Sequence, residues 1–179
     1  MSCDVICIGM HAQPDSHISY WDYLSPHQQD LIREGGFLYQ EIFATNTYSF
    51  RDYSFIVFPF AKAFEGFIKK FLLDIGLITI EQYNSDHIRI GKLLSPERLN
   101  NRMYSSSIYT QLSDSIGSVT AEKLWLTWKY CRNQVFHYYP HNSKSIDLIG
   151  AKERIHMILT TMTACYNALQ DKAARYKFD

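Results

Sequence analysis

The sequence carries no net charge: 18 Lys and Arg balance 18 Asp and Glu. A chain that lives on non-specific phosphate binding is usually basic. The balance therefore excludes a broad cationic face, and any nucleic-acid contact should be local. It also suits a partner protein covering the site. No run of about 18 apolar residues occurs, which argues against a membrane-spanning helix. The opening stretch MSCDVICIGMHAQPD lacks a basic segment ahead of an apolar one, so no secretory signal is expected. The four cysteines, Cys3, Cys7, Cys131 and Cys165, form no C-x2-C pair and no zinc-ligand spacing. Free thiols in a reducing cytoplasm are the expectation, with no metal and no cofactor. Internal repeats and low-complexity tracts are absent too.

What is present is apolar content in helical register. Hydrophobic residues make up 46% of the 179-residue chain and charged residues 20%, a balance that favours a packed core over disorder. The length fits one domain. Strand-like patterning is confined to Asp4–Met10 (DVICIGM), the start of an irregular N-terminal arm over residues 1–24. Residues 25–179 are expected to form a helical bundle. Ser25-Pro26 is a good helix start, since serine can cap and proline fits the first helical position. The Gly35-Gly36 pair should weaken the helix that follows. Phe55 to Ile78 is the strongest amphipathic stretch, with Phe60, Phe64, Phe67, Ile68, Phe71, Leu72 and Ile75 at three-four spacing and Gly76 as its stop. Residues 79–117 are less regular and predict one or two short helices, a possible lid or partner surface. A further helix is expected from Thr120 until Pro140 ends it. The last should begin near Ser145, with Ile149, Ile155, Ile158, Leu159, Met162 and Cys165 on its apolar face. The fold class that follows is all-α, a bundle.

The candidate chemistry lies in W-K-Y-C-R-N-Q-V-F-H-Y-Y-P, residues 128–140. Arg132, Asn133 and His137 stand at the end of an otherwise apolar helix. In a straight helix, positions five apart differ by about 140° in direction and about 7.5 Å along the axis. A loosened last turn before Pro140 would let a long arginine side chain reach the cleft of His137. The partial negative charge at the helix C-terminus favours a protonated histidine there. These residue types suit RNA cleavage by the neighbouring 2′-hydroxyl. Histidine moves a proton, a guanidinium holds the phosphate and stabilises its developing charge, and asparagine orients. The products would be a 2′,3′-cyclic phosphate and a 5′-hydroxyl, with no metal required. The plain alternative is His137 capping the last carbonyls and Arg132 solvated.

R-N-x-x-x-H near the end of a late bundle helix resembles the signature of the HEPN superfamily, α-helical bundles whose arginine, polar second residue and histidine form a ribonuclease site. F-A-K-A-F-E-G-F-I-K-K-F-L (60–72), together with residues 128–140, is similar to the toxin domain of RNase LS-type toxins. The resemblance implies a homodimeric, cytoplasmic endoribonuclease, the toxin of a toxin–antitoxin or phage-defence pair, with RNA as substrate and an antitoxin protein as partner. It also implies a supporting glutamate on an earlier helix, and Glu65 is the matching position. The competing reading of Glu65 is a surface pair with Lys62 or Lys69. His137-x-Tyr139 further resembles the R-x4-H-x-Y form of HEPN toxins in which the tyrosine is adenylylated, making Tyr139 a candidate modification site. RNase LS toxins carry additional N-terminal domains, whereas this chain begins shortly before the bundle. The rival to a ribonuclease is a catalytically silent module for dimerisation, or for nucleotide or partner binding, since fold does not decide function. Trp125 and Trp128 are expected in the core or on a dimer face. Lys69, Lys70, Lys92, Arg98 and Arg102 are expected as solvated charges, with an RNA path as the second reading.

Overall fold

Helix α1 (Pro26–Thr45) begins where Ser25 and Pro26 predict. Ser25 Oγ accepts from Gln28 N at 3.3 Å, and Gln28 Oε1 accepts from Ser25 N at 2.8 Å, a reciprocal capping box. The computed structural model describes residues 19–45, 48–96, 108–138, 140 and 144–175. The expected strand at Asp4–Met10 lies outside them. The end of the expected arm is packed: Trp21–Tyr23 forms a 3-10 turn, and Tyr20, Trp21 and Leu24 are buried. Gly35 and Gly36 do not interrupt α1. A Cβ on Gly35 would fall 2.6 Å from the Phe60 ring, so the missing side chain lets α1 sit close against the next helix.

That next helix, α2 (Ser54–Asp74), is the centre of the fold and packs against both α1 and the last helix. Its three-four apolar spacing is realised as burial: Ile56, Val57, Phe60, Phe64, Phe67, Ile68, Phe71 and Leu72 are all at most 3% exposed. Each such side chain stabilises the fold by roughly 1.5–3 kcal/mol on transfer from water. The helix closes at Gly76, whose φ of 78° is the left-handed region that glycine enters freely. Leu77 N donates to Leu72 O at 2.8 Å and Gly76 N to Leu73 O at 2.9 Å, a Schellman closure. The helix thus ends at Asp74, with Gly76 as the stop that the sequence predicts.

Among the described residues, the irregular segment holds three short helices, where the sequence predicts one or two: α3 (Ile80–Tyr83), α4 (Ile90–Leu94) and α5 (Ile108–Ile116). Gly117, at φ 85°, turns the chain into α6 (Ser118–Thr127), which starts ahead of the expected Thr120. Helix α6 runs without a break into a π-helix, Trp128–Asn133. Gln134 N donates to Lys129 O at 3.0 Å, the i→i+5 bond of that geometry. Regular structure is over by Asn133, so Pro140 is not what ends this helix.

The last helix, α7 (Leu148–Arg175), begins at Leu148 rather than Ser145, because Asp147 is its cap. Asp147 Oδ1 accepts from Gly150 N at 2.7 Å. Ala151, Ile155, Ile158, Leu159, Met162 and Cys165 are buried, but Ile149 is 69% exposed. Two positions from Ala151 is a rotation of about 200°, onto the opposite face. Helix α6 and the π-helix pack on α7, and the π-helix also reaches α2. Thr127 and Thr161 share a buried hydroxyl hydrogen bond of 2.8 Å that ties α6 to α7 one residue before the π-helix. The result is an all-α bundle, with no strand among the described residues. No described helix is long and apolar enough to cross a membrane.

Candidate functional site

The π-helix sets the angular position of the motif. It widens the helix immediately before Arg132, and Cys131 next to it is fully buried. With Cys131 pointing into the core, Arg132 emerges at the boundary, its side chain 36% exposed. There it meets Glu65 of α2, 67 positions away in sequence. Arg132 Nε donates to Glu65 Oε2 at 3.0 Å, and Nη2 lies 3.0 Å from the same oxygen. Glu65 is thus paired with Arg132 and not with Lys62 or Lys69. One edge of the guanidinium is occupied, and its Nη1 side is left for another anion.

A second support lies under the guanidinium. Its carbon sits 5.2 Å from the centre of the Trp128 ring, within cation–π range. Trp128 is 5% exposed, and its indole Nε1 is buried without a hydrogen-bond partner. A Cβ on Gly91 of α4 would come within 2.9 Å of that nitrogen. The glycine therefore makes room for the ring on which Arg132 rests. The sequence places Trp128 in the core or on a dimer face, with a base-stacking platform as the lesser reading, and does not link it to Arg132. Its spacing of four from Arg132 was the available signal, whereas nothing in the sequence points to Gly91.

His137 is held more lightly. It lies beyond the Gln134–Phe136 turn and is exposed, as is Asn133. Its Nε2 is 3.1 Å from Asn133 Oδ1. In the tautomer that donates Nε2–H to this amide oxygen, Nδ1 is the nitrogen able to take a proton. Phe136, beside it, packs edge-on against Phe58 of α2 at 5.4 Å. The structure thus brings Arg132 to Glu65 and His137 to Asn133. Tyr139 lies outside the described residues, as do Arg98 and Arg102. Lys70 is engaged with Asp74 at 2.8 Å and with the Tyr23 ring. Among the described residues, no three His, Cys, Asp or Glu side chains group as metal ligands. Cys131 and Cys165 are both buried and free, and burial pushes each thiol up to about 12.

An exposed aromatic face adjoins the site. Phe58 (51% exposed), Phe55 and Phe50 lie on or just before α2, and Phe37 and Phe43 on α1. Phe50 and Phe55 are in ring contact at 5.0 Å. No protein-family model, no curated protein and no solved structure matches this chain.

Proposed function

We propose that this chain is a metal-independent endoribonuclease that acts in the cytoplasm as the toxin of a toxin–antitoxin or phage-defence pair. The observation that carries the reading is the Glu65–Arg132 pair. Two polar residues far apart in sequence, each on a largely apolar helix, meet, and one of them, Arg132, stands five residues before an exposed histidine. The HEPN-like motif asks for that combination.

The chemistry follows from the atoms. His137 Nδ1 takes the proton of an RNA 2′-hydroxyl as its oxygen attacks the adjacent phosphorus. The bond from phosphorus to the 5′-oxygen breaks, and that oxygen takes the proton back from the His137 imidazolium, directly or through water. The products are a 2′,3′-cyclic phosphate and a 5′-hydroxyl. Arg132 donates from its Nη1 side to the non-bridging phosphate oxygens, whose charge grows in the transition state. Glu65 is a positioning residue: it fixes the guanidinium plane and leaves the donating edge outward. Asn133 holds the histidine ring. Tyr139, two positions on, is the proposed modification site, where adenylylation would place bulk and charge beside His137.

The exposed aromatic side chains suit protein partners, because exposed apolar clusters such as Phe50 with Phe55 mark interaction sites. A second copy of the chain seated there would bring two motifs together, and an antitoxin would cover them. The test is incubation of the purified chain, and of His137→Ala, with total RNA in EDTA. Cleavage by the parent alone, leaving cyclic phosphate ends, is the expected result. Equal cleavage by both, or by neither, overturns the assignment and favours a silent dimerisation or partner-binding module.

A further inference from the structure

A cavity of about 320 Å³ opens beside the motif, on the side of the π-helix that faces the start of α7. Tyr130, Gln134 and Val135 form one wall, Lys144, Ser145 and Ile146 the next, and Arg154 of α7 another. Gln134 and Val135 lie between Asn133 and His137 in sequence, so the cavity and the proposed site share one stretch of backbone. Arg132 and His137 are not among its lining residues.

The lining has a consistent chemistry. Among the described residues, two cations, a phenol, a carboxamide and a hydroxyl line it, and no carboxylate does. Arg154 donates from Nη1 to Gly150 O at 2.9 Å, while its Nε is buried with no acceptor. No carboxylate ion-pairs with it among the described residues. The nearby Asp147 directs its carboxylate to Gly150 N. With Asp147 near but in no direct ion pair, and Nε without an acceptor, this partly buried guanidinium still gains from a further anion. Its field reaches Cys131, where it opposes the upward push of burial on the thiol.

The cavity is also preformed. Ile146 O accepts from Tyr53 N at 2.8 Å, and Ile146 N reaches Asp52 Oδ1 at 3.5 Å. The wall containing Lys144 and Ser145 is therefore pinned to the start of α2. Tyr130, 42% exposed, leaves an aromatic face at the rim.

We infer that this cavity binds a phosphate of the RNA chain next to the phosphate being cut, through Arg154 and Lys144, with Gln134 and Ser145 as neutral donors. The inference rests on the ribonuclease reading for its substrate. A second phosphate contact of this kind would favour long RNA over short.

The experiment has two arms. In the first, inorganic phosphate is titrated into the 15N-labelled His137→Ala chain. Saturable shifts are expected at the amides of Gln134 and Ser145 and at Arg154 Nε–H. Arg154→Gln should weaken phosphate binding by about tenfold or more, the scale of a charge-assisted contact, and Arg154→Lys should recover part of it. Lys144→Gln, on the loop, gives a second variant whose weakening does not depend on α7 remaining intact. Absence of shifts at these residues, or shifts confined to the surroundings of Arg132, overturns the pocket. In the second arm, Arg154→Gln should raise KM for a long oligoribonucleotide far more than for a ribodinucleotide, which has no neighbouring phosphate. Equal changes in both overturn the neighbouring-phosphate assignment. If the parent cleaves neither RNA, the ribonuclease reading has failed, and the phosphate titration still decides the pocket.

Discussion

Arg132 and His137 belong to one short motif, yet the fold holds them in different ways. Arg132 stands on a π-helix tied to α7, with Glu65 on one edge and Trp128 under its face. His137 follows a turn, is exposed, and meets the equally exposed Asn133 through Nε2. Tertiary structure fixes the first and local structure the second. Electrostatic stabilisation works best from a group already in place, because nothing then has to reorganise as charge develops. A proton carrier must change its bonding during the reaction, so a lighter hold suits it. That division of labour suits the proposed ribonuclease chemistry.

The sharpest test is the lightly held half. His137→Ala should lower cleavage by about 10²–10⁴-fold, the usual worth of a positioned general base or acid. The melting temperature should stay the same, since the side chain is exposed. Retained activity at unchanged stability would remove His137 from the chemistry.

Next in size is the tertiary hold. Glu65→Ala should reduce kcat by roughly ten- to a hundredfold, with Glu65→Gln falling between it and the parent. The ion pair is about one-third exposed on each side, so its loss should cost the fold about 1 kcal/mol or less. A large kcat effect beside a small stability effect separates positioning from packing. If the unfolding midpoint falls as steeply as kcat, Glu65 is merely structural. Gly91→Ala probes the same hold from below. An added Cβ lies 2.9 Å from Trp128 Nε1, so the ring must shift, and Arg132 with it. A loss of several-fold in kcat is expected, together with roughly 1–3 kcal/mol of overpacking cost. Parental kcat and stability would mean that the Trp128 ring does not set the position of Arg132.

The same contrast explains what could be read from the sequence. Helix α2 was legible because its burial is periodic: Phe60, Phe64, Phe67 and Phe71 repeat at three-four spacing and are all interior. The start of α1 was legible because Ser25 and Pro26 act within one turn. The motif residues could be named from their types and spacing. Their geometry could not, because the π-helix depends on how Trp128 and Cys131 pack against other helices. That is why Pro140 was wrongly given the role of terminator. The boundaries at Ser118 and Leu148 were missed by a few residues for a related reason. Gly117 and Asp147 cap those helices, but Thr120 and Ser145 carry equally good local signals. Ile149 is apolar in type and exposed in fact, which only the position of the cap decides. The cavity at Arg154 had no sequence signature, since its walls come from three separated segments.

The smallest expected effect lies within the lightly held half. Asn133 touches His137 through one hydrogen bond between two exposed side chains. Water can replace such a partner, and a hydrogen bond of this kind is worth about 0.5–1.5 kcal/mol net, or roughly two- to tenfold in rate. Asn133→Ala should therefore reduce kcat by less than Glu65→Ala does, although Asn133 is closer to the histidine in sequence and in contact with it. Assaying both variants at matched pH and RNA concentration, with kcat and KM separated, ranks the two holds directly. A deeper loss from Asn133→Ala would invert the comparison. The local bond would then organise the site, and the pairing between α2 and the π-helix would serve mainly to join them.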